Sequence, residues 1–349
     1  QRYRRGSALP RNQQAVGAVT RGRAASLELR LEPGHTRFMT NPHEIPLTDQ
    51  QQFWSLEKPV AKGKGGIVAS HHIAASEIGA EVLRKGGNAW DAAVATSIAI
   101  TVLEPWMSGI GGGSFMTCYK ASEKKVSTVH FGMKAPKELR VEDFVLKNEG
   151  EGGDLFAWPG VVDDVNVNGW KAIGVPGHLA GLELAHKTWG SMKWADLFAP
   201  SVALAQKGLP VTWATSLRIA TGASELRKDK TAASLYLRDG LPPVGLAGKP
   251  TDYLPLGALA NTLQSIADNG AGIFYDGEIA RSMVSDIQSA GGYFTAEDLS
   301  SYKAEIRAPY TFERGGRIVH TTDGMTAGPS MGLAFENLGE LTGERNSPS

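Results

Sequence analysis

The longest uninterrupted pattern of small and apolar residues predicts a buried helix at 88–102. Alanine recurs on several faces of this helix, and small side chains on all sides allow close packing in a core. The Glu104-Pro105 pair is expected to end it, because the residue before a proline disfavours helical backbone. A second helix is predicted just before it, at about 70–85, with the glycine at 86 as its terminus.

Alternating apolar and polar residues predict two strands, 113–120 and 124–131, which a polar turn joins as a hairpin. Residues 147–170 show neither the helical nor the strand period of apolar residues, so we expect a surface loop there. The remaining elements are predicted as strands at 66–69 and 317–321 and as helices at 178–189, 194–206, 256–269, 277–290, 295–302 and 332–341. Together they indicate an α+β fold in which helices flank a sheet.

Overall composition and charge favour neither nucleic acid nor a membrane as a partner. The chain has 36 basic and 36 acidic residues, so nothing global indicates nucleic acid or an anionic membrane as a partner. Its longest apolar run is shorter than the ~20 residues that span a bilayer, and we expect no membrane span. Cys118 is the single cysteine, which excludes an internal disulfide and favours a buried structural thiol.

Residues 1–50 show no periodicity, and we expect a tail that is disordered or not native to the protein. Eight arginines and two acidic residues precede Met39, which is a candidate for the true start. An organellar presequence and a nucleic-acid-binding arm are the alternatives for this arginine-rich tail. No apolar segment of a secretory signal is visible, which favours the cytoplasm but leaves the location open.

The motifs predict no cofactor and no metal site. The glycine turn at 109–113 approaches the Gly-x-Gly-x-x-Gly pattern of a dinucleotide-binding loop, but Ser114 stands at the last glycine position. The turn also follows a helix, whereas such a loop follows a strand. Neither a Walker A sequence nor a His-Glu-x-x-His sequence occurs in the chain.

One sequence match raises the possibility of a serine hydrolase. Residues 328–332 read Gly-Pro-Ser-Met-Gly, the Gly-x-Ser-x-Gly pattern of a nucleophile elbow, with Ser330 as the candidate nucleophile. The last histidine and the last aspartate, His320 and Asp323, both precede this serine. The usual chain order of the triad cannot be completed, so this interpretation is the least favoured, and a tight turn into a helix is expected instead.

Several blocks of the sequence resemble the γ-glutamyltranspeptidase family and occur in the family's order. The most specific are the helix and glycine turn at 86–116 and the segment Gly174-Val-Pro-Gly177. Further blocks lie at 68–77, 194–201, 208–211, 272–278, 291–299 and 327–332. The resemblance covers about residues 66–341.

The resemblance implies an N-terminal-nucleophile (Ntn) hydrolase with a four-layer αββα sandwich, of which residues 51–349 are the N-terminal, large-subunit part. Members of the family cut themselves into two subunits, and the new N-terminal threonine of the small subunit is the nucleophile. Its free α-amine can serve as the base that activates the hydroxyl. We expect this threonine beyond Ser349. The implied partners are the small subunit of the same precursor and a small-molecule amide substrate, and the chain alone is expected to be inactive.

One departure from the family concerns the substrate. The family binds the α-carboxylate of the γ-glutamyl group with an arginine in a Phe-Arg-Glu-x-Ala-Pro segment, which here reads Phe131-Gly-Met-Lys-Ala-Pro136. Gly132 thus stands at the arginine position, and a glycine cannot replace a bidentate arginine–carboxylate contact. Lys134 would share the face of position 132 in a strand, where it either supplies a point charge or is simply solvated.

The predicted substrate-binding residues are therefore Gly132 and Lys134, and no catalytic residue is expected in this chain. Structural residues near the cleft are expected at Ser108, Gly109, Gly111, Gly112 and Gly113. The interpretation as part of a γ-glutamyl transferase or hydrolase competes with a cephalosporin-acylase-like or other amide hydrolase of the same superfamily. A non-catalytic fragment that only binds is the alternative from another class.

Overall fold

The computed structural model describes residues 60–151, 159–245 and 249–338. The chain divides into two units, and all described residues belong to the unit Pro59–Leu341. The second unit, Gln1–Lys58 with Thr342–Ser349, lies outside the described residues, as does the predicted tail at 1–50.

The described residues combine thirteen α-helices with nine strands, in agreement with the predicted α+β class. The helices are α1 (Ile73–Arg84), α2 (Ala89–Leu103), α3 (Pro105–Ser108), α4 (His178–Trp189), α5 (Trp194–Lys207), α6 (Trp213–Thr221), α7 (Ala223–Leu226), α8 (Lys230–Tyr236), α9 (Leu259–Asn269), α10 (Gly272–Tyr275), α11 (Glu278–Ser289), α12 (Ala296–Ser300) and α13 (Ala327–Asn337). The strands are β1 (Ser114–Lys120), β2 (Lys125–Phe131), β3 (Leu146–Glu151), β4 (Pro159–Val161), β5 (Leu209–Pro210), β6 (Tyr253–Leu254), β7 (Glu305–Arg307), β8 (Tyr310–Arg314) and β9 (Arg317–Thr321).

Helix α2 confirms the predicted buried helix and its end. The Asn88 side chain accepts hydrogen bonds from the backbone N–H groups of Trp90 and Asp91, and the Asp91 carboxylate accepts one from Asn88 N–H. This reciprocal capping box satisfies N–H groups that have no partner within the helix. Glu104 ends α2, and Pro105 begins α3. Proline is tolerated there because the N–H group that it lacks would have no hydrogen-bond partner at the first position of a helix.

Helix α1 begins later than predicted, because His72 rather than residue 70 caps it. His72 Nδ1 accepts a hydrogen bond from Ala74 N–H at 3.2 Å, while the Ser70 hydroxyl donates to the His72 carbonyl. The strand predicted at 66–69 is wrong, since these described residues join no ladder.

Side chains from α2, α4, α5 and α9 fill the main core. Phe198 of α5 and Leu263 of α9 are fully buried there, and the Phe198 ring lies 4.7 Å from that of Trp194. Among the described helices, none has the length and apolar character that crossing a membrane requires.

The predicted hairpin is confirmed and belongs to a three-stranded antiparallel sheet of order β1-β2-β7. Ser114 pairs with Phe131 at one end of the hairpin, and β7 joins through pairs such as Thr128 with Arg307. Cys118 of β1 is buried, as predicted, and burial raises the pKa of its thiol.

Three predictions outside this sheet are wrong or incomplete. The loop predicted at 147–170 contains most of β3 and all of β4, which pair with each other. Their backbone N–H and C=O groups bond across this pair, which needs no alternation of apolar and polar residues in the sequence. Residues 207–255, for which no element is predicted, form three short helices, α6 to α8, and two-residue strands. The helix predicted at 332–341 begins at Ala327, where the Thr326 hydroxyl caps it.

Candidate functional site

The predicted glycine turn connects α3 to β1 and is fastened to the start of α4. The Gly112 carbonyl accepts hydrogen bonds from Gly177 N–H at 2.9 Å and His178 N–H at 3.0 Å. The first N–H groups of a helix have no partner inside it, so this carbonyl satisfies two of them. The turn itself is closed by Gly112 N–H, which donates to the Gly109 carbonyl.

Gly113 lies directly against the backbone that follows β2. A Cβ atom at this position would lie 2.5 Å from Met133 N and 2.8 Å from the Phe131 carbonyl oxygen. Side chains cannot fit at such distances, so the close approach of these two segments requires glycine. Gly111 has open space around its Cβ position and makes no such demand.

A third segment completes the arrangement. Lys134 and Val175 exchange backbone hydrogen bonds at 2.8 and 3.1 Å, and the Tyr302 hydroxyl donates to the Gly132 carbonyl at 2.7 Å. Gly177 faces that tyrosine, since a Cβ there would lie 2.0 Å from its hydroxyl oxygen. We call the three segments 109–113, 131–134 and 174–178 the glycine junction.

The structure places both predicted substrate-binding residues at this junction. A Cβ at Gly132 would lie 3.1 Å from Cζ of Phe115, so the aromatic ring covers the position where the family's arginine side chain would begin. The Lys134 ammonium lies 4.8 Å from the centre of the Tyr302 ring, in a cation–π contact.

Sequence reasoning missed a polar cluster beside Phe115. The ring of Phe115 meets that of His130 edge-on, with 5.2 Å between their centres. His130 Nε2 lies 2.8 Å from Asp323 Oδ1 and 3.1 Å from Thr128 Oγ1. Burial lowers the pKa of His130, and the nearby Asp323 carboxylate opposes this shift. No motif signals this cluster, because Asp323, which follows β9, is 193 positions from His130 of β2.

A buried acid lies at the corner between α2 and α3. The Glu104 carboxylate is buried, and His71 Nδ1 lies 2.6 Å from one of its oxygens. The Glu104 carbonyl accepts a hydrogen bond from Ser108 N–H, the residue before the glycine turn. Ser108 thus has a backbone hydrogen bond at the end of α3, and this corner sets the direction in which the chain enters the turn.

The structure gives no support to a serine-hydrolase site. Ser330 lies inside α13 rather than at a turn between strand and helix, so the predicted tight turn at 328–332 is wrong. Among the described residues, no hydrogen bond joins this serine to a histidine, and His320 bonds instead to the Thr311 hydroxyl.

Comparison with known proteins relates these features to one family. The γ-glutamyltranspeptidase family model matches residues 75–347. The glutathione hydrolase proenzyme of Bacillus subtilis strain 168 is 37% identical over 271 residues, which are 78% of this chain and 44% of the relative. The chain thus spans less than half the length of that curated relative.

Two solved structures have the same fold as this chain. Helicobacter pylori γ-glutamyltranspeptidase superposes with a TM-score of 0.69 and 30% identity, covering 77% of this chain and 73% of that one. Cephalosporin acylase from Bacillus halodurans superposes with a TM-score of 0.64 and 26% identity, covering 81% of this chain and 49% of that one.

Proposed function

The chain belongs to the γ-glutamyltranspeptidase family, and from this premise we propose that it is the large-subunit part of a self-processing Ntn amidohydrolase or acyltransferase. The glycine junction carries this proposal. It contains the glycine turn and the carboxylate-binding position that the family resemblance places beside the active site, and its three parts are held together by backbone contacts. In this proposal the sheet β1-β2-β7 contributes to one of the two inner layers of an αββα sandwich.

The proposed chemistry divides between two polypeptides. The N-terminal threonine of the small subunit attacks the amide carbonyl, and its own α-amine takes the hydroxyl proton. Backbone or side-chain donors of that subunit hold the negative charge of the tetrahedral intermediate. The large subunit supplies the wall against which the acyl group lies, with Gly132 and Lys134 at that wall and Ser108 to Gly113 behind it.

Two substrate classes compete within this proposal. A γ-glutamyl amide such as glutathione is the class suggested by relatives that are called glutathione hydrolases. Gly132 favours the second class, an amide whose acyl group lacks an α-amino-acid carboxylate, because the arginine that would bind this carboxylate is replaced. The fold likeness to a cephalosporin acylase is compatible with that second class.

The test is to express the full-length precursor that contains this chain and to examine its processing by mass spectrometry. We expect two polypeptides, with a threonine at the N-terminus of the smaller one, and turnover of at least one acyl p-nitroanilide. Residues 1–349 alone should give no turnover.

Two results would contradict this proposal. One is an unprocessed precursor that is inactive on γ-glutamyl, glutaryl and phenylbutyryl p-nitroanilides. The other is turnover by residues 1–349 that a fluorophosphonate blocks and that Ser330→Ala abolishes, which would establish a serine hydrolase instead.

A further inference from the structure

We propose that Phe115 is a specificity-determining residue, which replaces the carboxylate clamp of the family with an apolar surface and selects acyl groups with an uncharged, apolar end. This inference rests on the proposed function, because it concerns the acyl side of the same site. Nothing in the sequence pattern singles out Phe115, which reads as an ordinary residue of β1.

The first observation is a tight approach between positions 115 and 132. The ideal Cβ of a residue at 132 lies 3.1 Å from Phe115 Cζ and 3.7 Å from both Cε atoms, so the end of the ring points at this position. A Cβ atom at this distance is tighter than most real contacts, so a side chain at 132 would require the ring to shift by a few tenths of an ångström. The Phe115 ring thus lies against the point from which a side chain at 132 would extend, which relates the loss of the arginine to the position of the ring.

The second observation is that the ring is held in place and partly open. His130 lies edge-on to it at 5.2 Å, and His130 Nε2 in turn lies 2.8 Å from Asp323 Oδ1 and 3.1 Å from Thr128 Oγ1. Phe115 nevertheless stays 42% exposed, and it lies two residues after Gly113 of the glycine turn. A supported ring with a free face offers an apolar group a contact area that needs little reordering of the side chain.

The third observation is that the nearby cations already have partners. Arg307 Nη2 lies 2.7 Å from Glu305 Oε2, and its Nη1 lies 3.8 Å from Asp323 Oδ2. The Lys134 ammonium is engaged with the Tyr302 ring. A substrate carboxylate would therefore meet two carboxylates as well as two cations, without the bidentate arginine that favours its binding.

The experiment measures kcat/KM of the processed full-length enzyme on phenylbutyryl and γ-glutamyl p-nitroanilide, whose acyl chains have similar length. We expect the wild-type enzyme to prefer the phenylbutyryl substrate. Phe115→Ala should lower this preference about tenfold, in line with what the loss of an apolar contact does to selectivity. The preference of Phe115→Leu should lie between those of the wild type and Phe115→Ala. The double variant Phe115→Ala with Gly132→Arg should raise kcat/KM on the γ-glutamyl substrate.

Tyr119→Ala is the matched control, because Tyr119 is an exposed aromatic residue on the same face of β1, four positions from Phe115. It should leave the preference unchanged. The inference is overturned if the processed enzyme prefers the γ-glutamyl substrate, or if Phe115→Ala and Tyr119→Ala shift the preference equally. An enzyme that is not processed and turns over neither substrate refutes the proposed function itself, and this inference with it.

Discussion

Gly113 shows how much one hydrogen in place of a methyl group can matter. Gly113→Ala would bring a Cβ atom to within 2.8 Å of three backbone atoms of residues 131–133, none of which can move without disrupting the hairpin end. We expect a loss of about 1–3 kcal/mol in the free energy of unfolding, as for other overpacked sites. Urea denaturation followed by circular dichroism measures this value.

Gly111→Ala is the control for this prediction. Gly111 belongs to the same turn, has no atom within 4 Å of its Cβ position, and does not adopt a positive φ angle. Its substitution should change the free energy of unfolding by less than about 0.5 kcal/mol. Equal losses for the two variants would contradict the close approach described at Gly113.

His178 makes stability depend on pH. Burial lowers the pKa of His178 from 6.5 to about 4. Between these two pH values the histidine is protonated in the unfolded chain but stays neutral in the folded chain. The corresponding stability is complete above pH 6.5 and is lost as pH falls towards 4, with about 2 kcal/mol lost between pH 7 and pH 5.

Urea denaturation at pH 7 and pH 5 checks this dependence. His178→Gln should lose about 2 kcal/mol less than the wild type on acidification, since glutamine does not titrate. His320→Gln, a change at an exposed histidine, should behave as the wild type does. If the wild type and the His178→Gln variant lose equal stability between pH 7 and pH 5, His178 is not the source of the pH dependence.

At the scale of elements, Asp91 fixes α2 to the loop between α4 and α5. Its carboxylate accepts hydrogen bonds from the N–H groups of Asn88, Ser191 and Met192 and from the Ser191 hydroxyl. Burial alone would raise the pKa of Asp91, but these donors lower it, led by the Ser191 hydroxyl. Asp91→Ala would leave several buried donors unpaired and should cost at least about 3 kcal/mol in urea denaturation.

Asp196 supplies the control for this substitution, because it is an exposed acid in the first turn of α5. Asp196→Ala should cost less than about 1 kcal/mol, the usual size of a charge interaction with a helix end. If Asp91→Ala costs no more than Asp196→Ala, the buried hydrogen bonds of Asp91 do not stabilise the fold.

The elements that could be predicted from the sequence are those with a local signal at both ends. Helix α2 has its cap at Asn88 and its stop at Glu104-Pro105, and the β1–β2 hairpin has its alternation. Strand β7 could not be predicted, because its three residues pair with β2 across 179 positions between Thr128 and Arg307. Such a short strand depends on a partner that no local pattern identifies.

At the scale of the whole molecule, the sequence identifies the parts of the candidate site but not their contacts. The motifs at 109–113 and 174–177 are separate in the sequence, and only the fold joins them through the Gly112 carbonyl. Tyr302 and the pair His130–Asp323 belong to no motif, since their contacts are formed by tertiary packing. The sequence shows that Gly132 lacks the family's arginine, whereas only the fold brings the Phe115 ring against it.

The glycine junction is built almost entirely from backbone atoms, and this has an evolutionary consequence. Gly112, Gly113 and Gly177 meet their neighbours through carbonyl and amide groups and through the absence of side chains. These contacts do not depend on the side chains at 115 and 134. We therefore expect exchanges at those two positions to leave the framework in place, so that, under the function proposed above, one inherited scaffold can carry side chains suited to different acyl groups.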